Sequence, residues 1–274
     1  MRVLALHPDV LLATSAIWQT NCVIVRGVGR PAADVATDLS PSRLPAMELS
    51  ASGPPATELS ASGPPAMELS ASGPPEETFV IDSPVLPEEL EALPALLEQA
   101  RFPAPSGLLA THADWDHLLG RLAFPDAALG CAESTVARLQ ASPGEAQREL
   151  REFDREFYVE RPGPLMLGSI QALPVPGRCA LGHRELELHA APGHTADGMA
   201  IGIPWAGVLV AGDYLSAVEP PKVETGGSAD AYRATLERLR PLVAAAERIV
   251  PGHGPPIGPE QALAAIEQSL AALS

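Results

Sequence analysis

The strongest constraint on this chain is an abrupt change of character in one stretch, Gly107-Leu108-Leu109-Ala110-Thr111-His112-Ala113-Asp114-Trp115-Asp116-His117. There an apolar run gives way to four metal-capable side chains within six residues. Packing alone does not require such a density. Two imidazoles and two carboxylates together suit Zn, Fe or Mn better than Ca, which prefers oxygen alone. A structural reading competes with the chemical one: Asp114 or Asp116 would be the N-cap of a helix through Leu118 and Leu119. By itself the stretch leaves both open.

The same pattern recurs downstream. Leu186 to Ala191 leads through Pro192-Gly193 to His194, Val208 to Gly212 leads to Asp213, and Ile249-Val250-Pro251-Gly252 leads to His253. Each donor sits just past an expected strand. In α/β architectures the carboxyl ends of strands gather at one edge, where glycine lets the backbone turn and leaves a side chain exposed. Seven donors would then converge on one cleft. Four of the chain's seven histidines fall at these ends, so a purely structural reading needs a separate reason for each.

The set resembles the H-x-H-x-D-H pattern, with later His, Asp and His, of metallo-β-lactamase-fold metallo-hydrolases. The resemblance covers nearly the whole chain apart from one insert. It implies a four-layer αβ/βα sandwich of the α/β class holding two divalent ions. His112, Asp114 and His194 would hold one ion, Asp116, His117 and His253 the other, and Asp213 would bridge them. Asp116 is also assigned the catalytic carboxylate role. Asp114 is a departure, because the family usually has His there; the flavodiiron proteins, which carry iron, have a glutamate. Zn is therefore expected first, with Fe or Mn tolerated. Asp82 resembles an aspartate of the family that orders a loop, and is expected to accept hydrogen bonds rather than bind metal.

Ala46 to Pro75 is three copies of A-[MT]-E-L-S-A-S-G-P-P, broken only by Thr57. A ten-residue period ending in Gly-Pro-Pro sustains neither helix nor strand ladder, so a disordered insert is expected over residues 29–76. Residues 1–274 are otherwise expected to form a single domain. A net charge of −16 makes binding to phosphate backbones or anionic lipid unfavourable, so no nucleic acid and no membrane are expected as partners. Cys22, Cys131 and Cys179 are odd in number and widely spaced, which fits a reducing compartment, and no apolar run reaches membrane-spanning length; a cytoplasmic location is expected.

Residues 3–6, 21–26 and 78–81 read as strands. A helix is expected from Pro87, kinked or split at Pro94, and a further helix over Glu145 to Tyr158, its Leu150, Phe153 and Phe157 facing either the core or the cleft as a lid. His183 and His189, in a hairpin through Leu181-Gly182, are read as non-ligands. Lys222 is either solvated or an anchor for an anionic substrate group. Two helices, bearing Tyr232, Leu236, Leu239 and Val243, and Leu263, Ile266, Leu270 and Leu273, close the chain.

Two adjacent cations make hydroxide available at neutral pH and polarise a carbonyl. The reading is therefore a dinuclear metal-dependent hydrolase using a metal-bound hydroxide on a small ester, thioester, lactone or amide. A di-iron oxidoreductase of flavodiiron type and a non-catalytic metal-binding protein are the alternatives.

Overall fold

The computed structural model describes residues 1–27, 76–224 and 226–273, and the decapeptide repeat lies outside the described residues. Alternation along strands builds the two sheets. Arg2–His7 (β1), Val10–Thr14 (β2), Asn21–Gly27 (β3) and Glu77–Ile81 (β4) pair antiparallel in sequence order; Gly107–Leu109 (β5), Ala128–Ala132 (β6) and Ile170–Leu173 (β7) extend the same sheet in parallel. The second sheet contains Gly177–Leu181 (β8), Arg184–Ala190 (β9), Met199–Ile203 (β10), Val208–Gly212 (β11) and Arg248–Pro251 (β12). It is antiparallel except for the β11–β12 pair.

The faces of these strands explain the layers. In β3, Val23 and Val25 pack between the sheets, whereas Cys22 and Ile24 pack outwards under helices; in β11, Val208 and Val210 point inwards and Leu209 and Ala211 outwards. Both faces are therefore apolar, and both must be covered. Outside the first sheet lie Pro87–Ala100 (α1), Gly120–Ala123 (α2), Glu133–Ala141 (α3) and Glu145–Glu156 (α4). Outside the second lie Ala229–Ala245 (α5) and Pro259–Ala272 (α6), with Tyr232, Leu236, Leu239, Val243 and Ile266 buried against it. The result is the expected four-layer αβ/βα sandwich.

Pro94 does not split α1, which is continuous. An interior proline costs about 3 kcal/mol, but Leu90, Leu93 and Leu97 are each at least 97% buried and bring about 1.5–3 kcal/mol apiece. Leu150 and Phe153 of α4 are core, while Phe157, just past its end, is 44% exposed. Strand β2 and helix α3 leave no clear signal in the sequence. β2 lacks a clean alternation because it is buried on both faces, and α3 has no marked apolar stripe, burying only Thr135.

The topology fixes where donors emerge. β4 and β5 run parallel, as do β11 and β12, and β9 shares the latter direction because two antiparallel steps separate it from β11. Their carboxyl ends share one edge of the sandwich. Backbone bonds tie the sheets together there: Met199 N donates to Thr111 O (2.8 Å) and Asn21 N to Gly252 O (2.7 Å), while within the second sheet Gly252 N donates to Gly212 O (2.6 Å).

Candidate metal centre

All seven sequence-predicted donors meet at that edge. His112, Asp114 and His194 form one group whose ligand atoms lie within 4.8 Å of one another, and Asp116, His117 and His253 form another. Asp213 lies between them: Oδ2 is 3.3 Å from His194 Nε2 and 3.5 Å from His253 Nε2, and Oδ1 is 3.2 Å from His117 Nε2. Asp114 Oδ2 faces His112 Nε2 at 3.4 Å and His194 Nε2 at 3.3 Å; Asp116 Oδ2 is 3.4 Å from His253 Nε2. Asp114 does occupy the N-cap of a short 3-10 turn, Trp115–His117, but its side chain caps nothing. The structural reading of the motif thus has the right position and the wrong use.

Each imidazole is held by its other nitrogen. His112 Nδ1 is 3.1 Å from Thr111 Oγ1, which donates to Asp82 Oδ2 at 2.9 Å; His194 Nδ1 is 2.9 Å from Lys222 O and His253 Nδ1 3.1 Å from Trp18 O. His117 Nδ1 lies 3.0 Å from Asp82 Oδ2, an ion-pair contact rather than an aligned hydrogen bond. These contacts turn all four Nε2 atoms into the site, the arrangement that second partners impose on metal-bound histidines. Asp82 has the expected ordering role: its Oδ1 accepts from Thr111 N at 2.8 Å.

The buried Nε2 atoms of His112 and His117 and the Oδ1 of Asp213 make no aligned hydrogen bond. Buried polar atoms left this way are costly unless something pairs with them. Two cations within these donors would satisfy them, and the N and O donor chemistry fits. The charge balance agrees. Burial opposes the ionised form of Asp114 and Asp213, yet facing imidazoles, joined by Arg138 for Asp114, hold both carboxyls well below the usual range. Burial likewise disfavours protonated His253, but its bond to Asp213 and the charges of Asp213 and Asp116 push it up to about 9; His194 and His117 are raised by the same kind of partners.

Several supporting residues had no signature in the sequence. Arg138 on α3 contacts Asp114 Oδ1 through Nη2 (2.7 Å) and Asp197 Oδ1 through Nη1 (3.0 Å), and Asp197 Oδ2 accepts from Ala113 N (2.9 Å). Asn21 Nδ2 donates to Pro251 O and Gly254 O, pinning the turn that carries His253. Gly252 is required by contact: a Cβ there would lie 1.9 Å from Asp213 Oδ1. His183 and His189 stand away from the centre, as expected.

A cleft of about 330 Å³ opens above the donors, walled by Trp18, Arg138, Glu145, Glu149, Glu219 and Lys222. A second cavity of about 530 Å³, between the Leu215–Lys222 segment and α6, also reaches His194, Asp213 and His253. Lys222 Nζ pairs with Glu224, so it is not a free anion anchor. Among the described residues, no helix is long and apolar enough to cross a membrane.

A two-sheet sandwich with paired His/Asp groups at one edge defines a class of metal-binding fold, and comparison with known proteins gives it a family. Residues 75–253 match the family model of the metallo-beta-lactamase superfamily. The chain belongs to that superfamily. It superposes on a metallo-beta-lactamase from Pontibacter korlensis with TM-score 0.59 and 15% identity, covering 99% of this chain and 98% of that one. A metallo-beta-lactamase family protein from Thermus thermophilus gives TM-score 0.64 and 18% identity over 98% and 80%. The DIM-1 metallo-beta-lactamase exposed to ceftazidime gives 0.57 and 15% over 98% and 97%. At such low identities these superpositions show a shared fold alone. Comparison with curated proteins gives no match.

Proposed function

We propose that this protein is a dinuclear metal-dependent hydrolase of a small ester, thioester, lactone or amide. The observation that carries the reading is Asp213, which faces both groups: Oδ2 lies against His194 of one, while Oδ1 and Oδ2 lie against His117 and His253 of the other. Such a carboxylate spans two sites rather than closing one. When bound, divalent ions lower the pKa of a water towards about 7 and polarise a carbonyl oxygen.

The chain's own residues supply the rest. The four imidazoles present Nε2, and Asp114 and Asp116 complete the two groups. Asp116 also lines the cleft, where its carboxylate takes a proton from the attacking water and returns it to the leaving group. Trp18 and Trp115, packed edge-on with centroids 5.6 Å apart, form an apolar wall that shields one side of the reacting carbonyl from bulk water.

The metal content of freshly purified protein, measured alongside aerobic and anaerobic activity screens on ester, thioester, lactone and amide panels, tests this. Two equivalents of metal with oxygen-independent hydrolysis are expected. His253→Ala and Asp213→Ala should each lose at least one equivalent together with activity while the fold survives. Full occupancy in both variants, or redox turnover without hydrolysis, overturns the reading.

A further inference from the structure

We infer that the substrate is a cation, an ammonium-bearing ester, thioester or amide whose positive end is held by Glu145, Glu149 and the face of Trp18 while its carbonyl lies over the metal ligands. The inference rests on the hydrolase reading and adds the substrate's charge. Glu145 and Glu149 stand one turn apart on α4, so their side chains share a face, and both line the cleft. Among the described residues neither carboxylate has a hydrogen-bond or ion-pair partner. Glu219 lines the same cleft, its Oε1 3.9 Å from His253 Nδ1.

The basic side chains of the wall offset these charges only in part. Arg138 is taken up by Asp114 and Asp197, and Lys222 by Glu224. The lining holds seven carboxylates against these two cations, so even two divalent ions leave it short of positive charge. Glu149 registers the crowding: burial first, then the charges of Asp114 and Glu145, raise its pKa against the opposing charge of Arg138. An anionic substrate entering by this cleft would have to pass the rim, whereas a cation would relieve it.

An acidic rim alone would be a solvated surface. This one rims a cleft whose floor is the candidate metal centre itself, because Asp114, Asp116, His194, Asp213 and His253 line it too. An aromatic face is also present. Trp18 is 42% exposed and lines the cleft, its ring fixed by edge contacts to Trp115, Phe153 and Phe157. Carboxylates beside a fixed indole are the means by which proteins bind alkylammonium groups.

The test titrates the metal-loaded protein with choline, its neutral isostere 3,3-dimethylbutan-1-ol and the anion 3,3-dimethylbutyrate, followed by calorimetry and tryptophan fluorescence. Choline should bind about tenfold more tightly than the alcohol, a preference of the size expected for partly exposed ion pairs plus a cation–π contact. Glu145→Gln combined with Glu149→Gln, with metal content and circular dichroism unchanged, should remove that preference. Equal binding of choline and the alcohol, or an undiminished preference in the double variant, overturns the proposal. Hydrolysis of acetylthiocholine against its neutral isostere is read separately. Charge-selective binding without turnover of any ester would sink the hydrolase reading and leave the cation site standing; turnover blind to charge would do the reverse.

Discussion

Arg138 Nη2 lies 2.7 Å from Asp114 Oδ1, so the carboxylate that replaces the family's usual histidine arrives with its own counter-charge. The same guanidinium reaches Asp197, whose side chain is only 1% exposed. Arg138→Ala would strand that buried carboxylate, at about 3 kcal/mol, and free Asp114 to rotate away from His112 and His194. A lower urea midpoint and metal affinity reduced about 10–100-fold are expected. Arg138→Lys should rescue neither fully, because one ammonium cannot span two carboxylates as the planar fork does. Chelator competition and urea titration of the three proteins check this; full rescue by lysine would show that charge alone matters.

Gly252→Ala should empty the centre without unfolding the chain. The added Cβ would lie 1.9 Å from Asp213 Oδ1 and 3.1 Å from His117 Cε1, so the bridging carboxylate must move. At least one metal equivalent should be lost while circular dichroism is unchanged. Normal metal stoichiometry in the variant would mean that the turn has room to shift.

Stability of the metal-free protein should fall as pH rises from about 6.5 to 9. A histidine raised in the folded state stabilises it fully below its unfolded pKa and loses that contribution as pH passes the folded value, about 9 for His253. His117 and His194 are raised as well. Asp114 and Asp213, depressed on folding, contribute above about pH 4 and lose it as pH falls through their folded values. These are the same ion pairs counted from either partner, so the optimum lies between about 4 and 6.5. Metal needs neutral imidazoles, so its affinity should climb over the range in which the metal-free chain weakens. Urea midpoints of chelator-treated protein from pH 5 to 9.5 decide the matter, and a midpoint that rises above pH 6.5 contradicts it.

Replacing residues 29–76 by a short turn should leave stability and metal content nearly unchanged. Gly27 pairs with Glu77 at the end of the β3–β4 ladder, so the two ends already sit as neighbours in a hairpin. Closing a shorter loop costs no more entropy than closing a long one. A shortened chain that fails to fold or to bind metal would show that the repeat contributes contacts of its own.

The donors were legible because they are local: each follows an apolar run and a turn, and the strand ends do the gathering. Asp82 could be placed for the same reason, as the residue just past β4. Arg138, Asp197 and Asn21 could not. They come from a helix face, a loop and a strand start, and their roles exist only through partners as far as 233 residues away, as for Asn21 and Gly254. Strand β2 hid for a different reason, since burial on both faces erases the period that reveals a strand.

Asp114→His is where sequence and structure part company. From the sequence, restoring the imidazole removes one negative charge, which should favour Zn and lower the pH at which activity rises. The structure adds that the imidazole would face Arg138, which would keep only Asp197 as a partner. An imidazole there cannot accept on one atom from the guanidinium and offer a second to metal as a carboxylate does, so the single variant should bind metal more weakly than the parent. Combining Asp114→His with Arg138→Gln removes the conflict, and affinity should recover with the shift towards Zn. The two substitutions are therefore expected to be non-additive, with a coupling of about 0.5–3 kcal/mol for residues in contact. A metal-affinity cycle over the four proteins measures it. Simple additivity would mean that Arg138 does not act through Asp114, and a single variant that binds Zn better than the parent would restore the simpler account from charge alone.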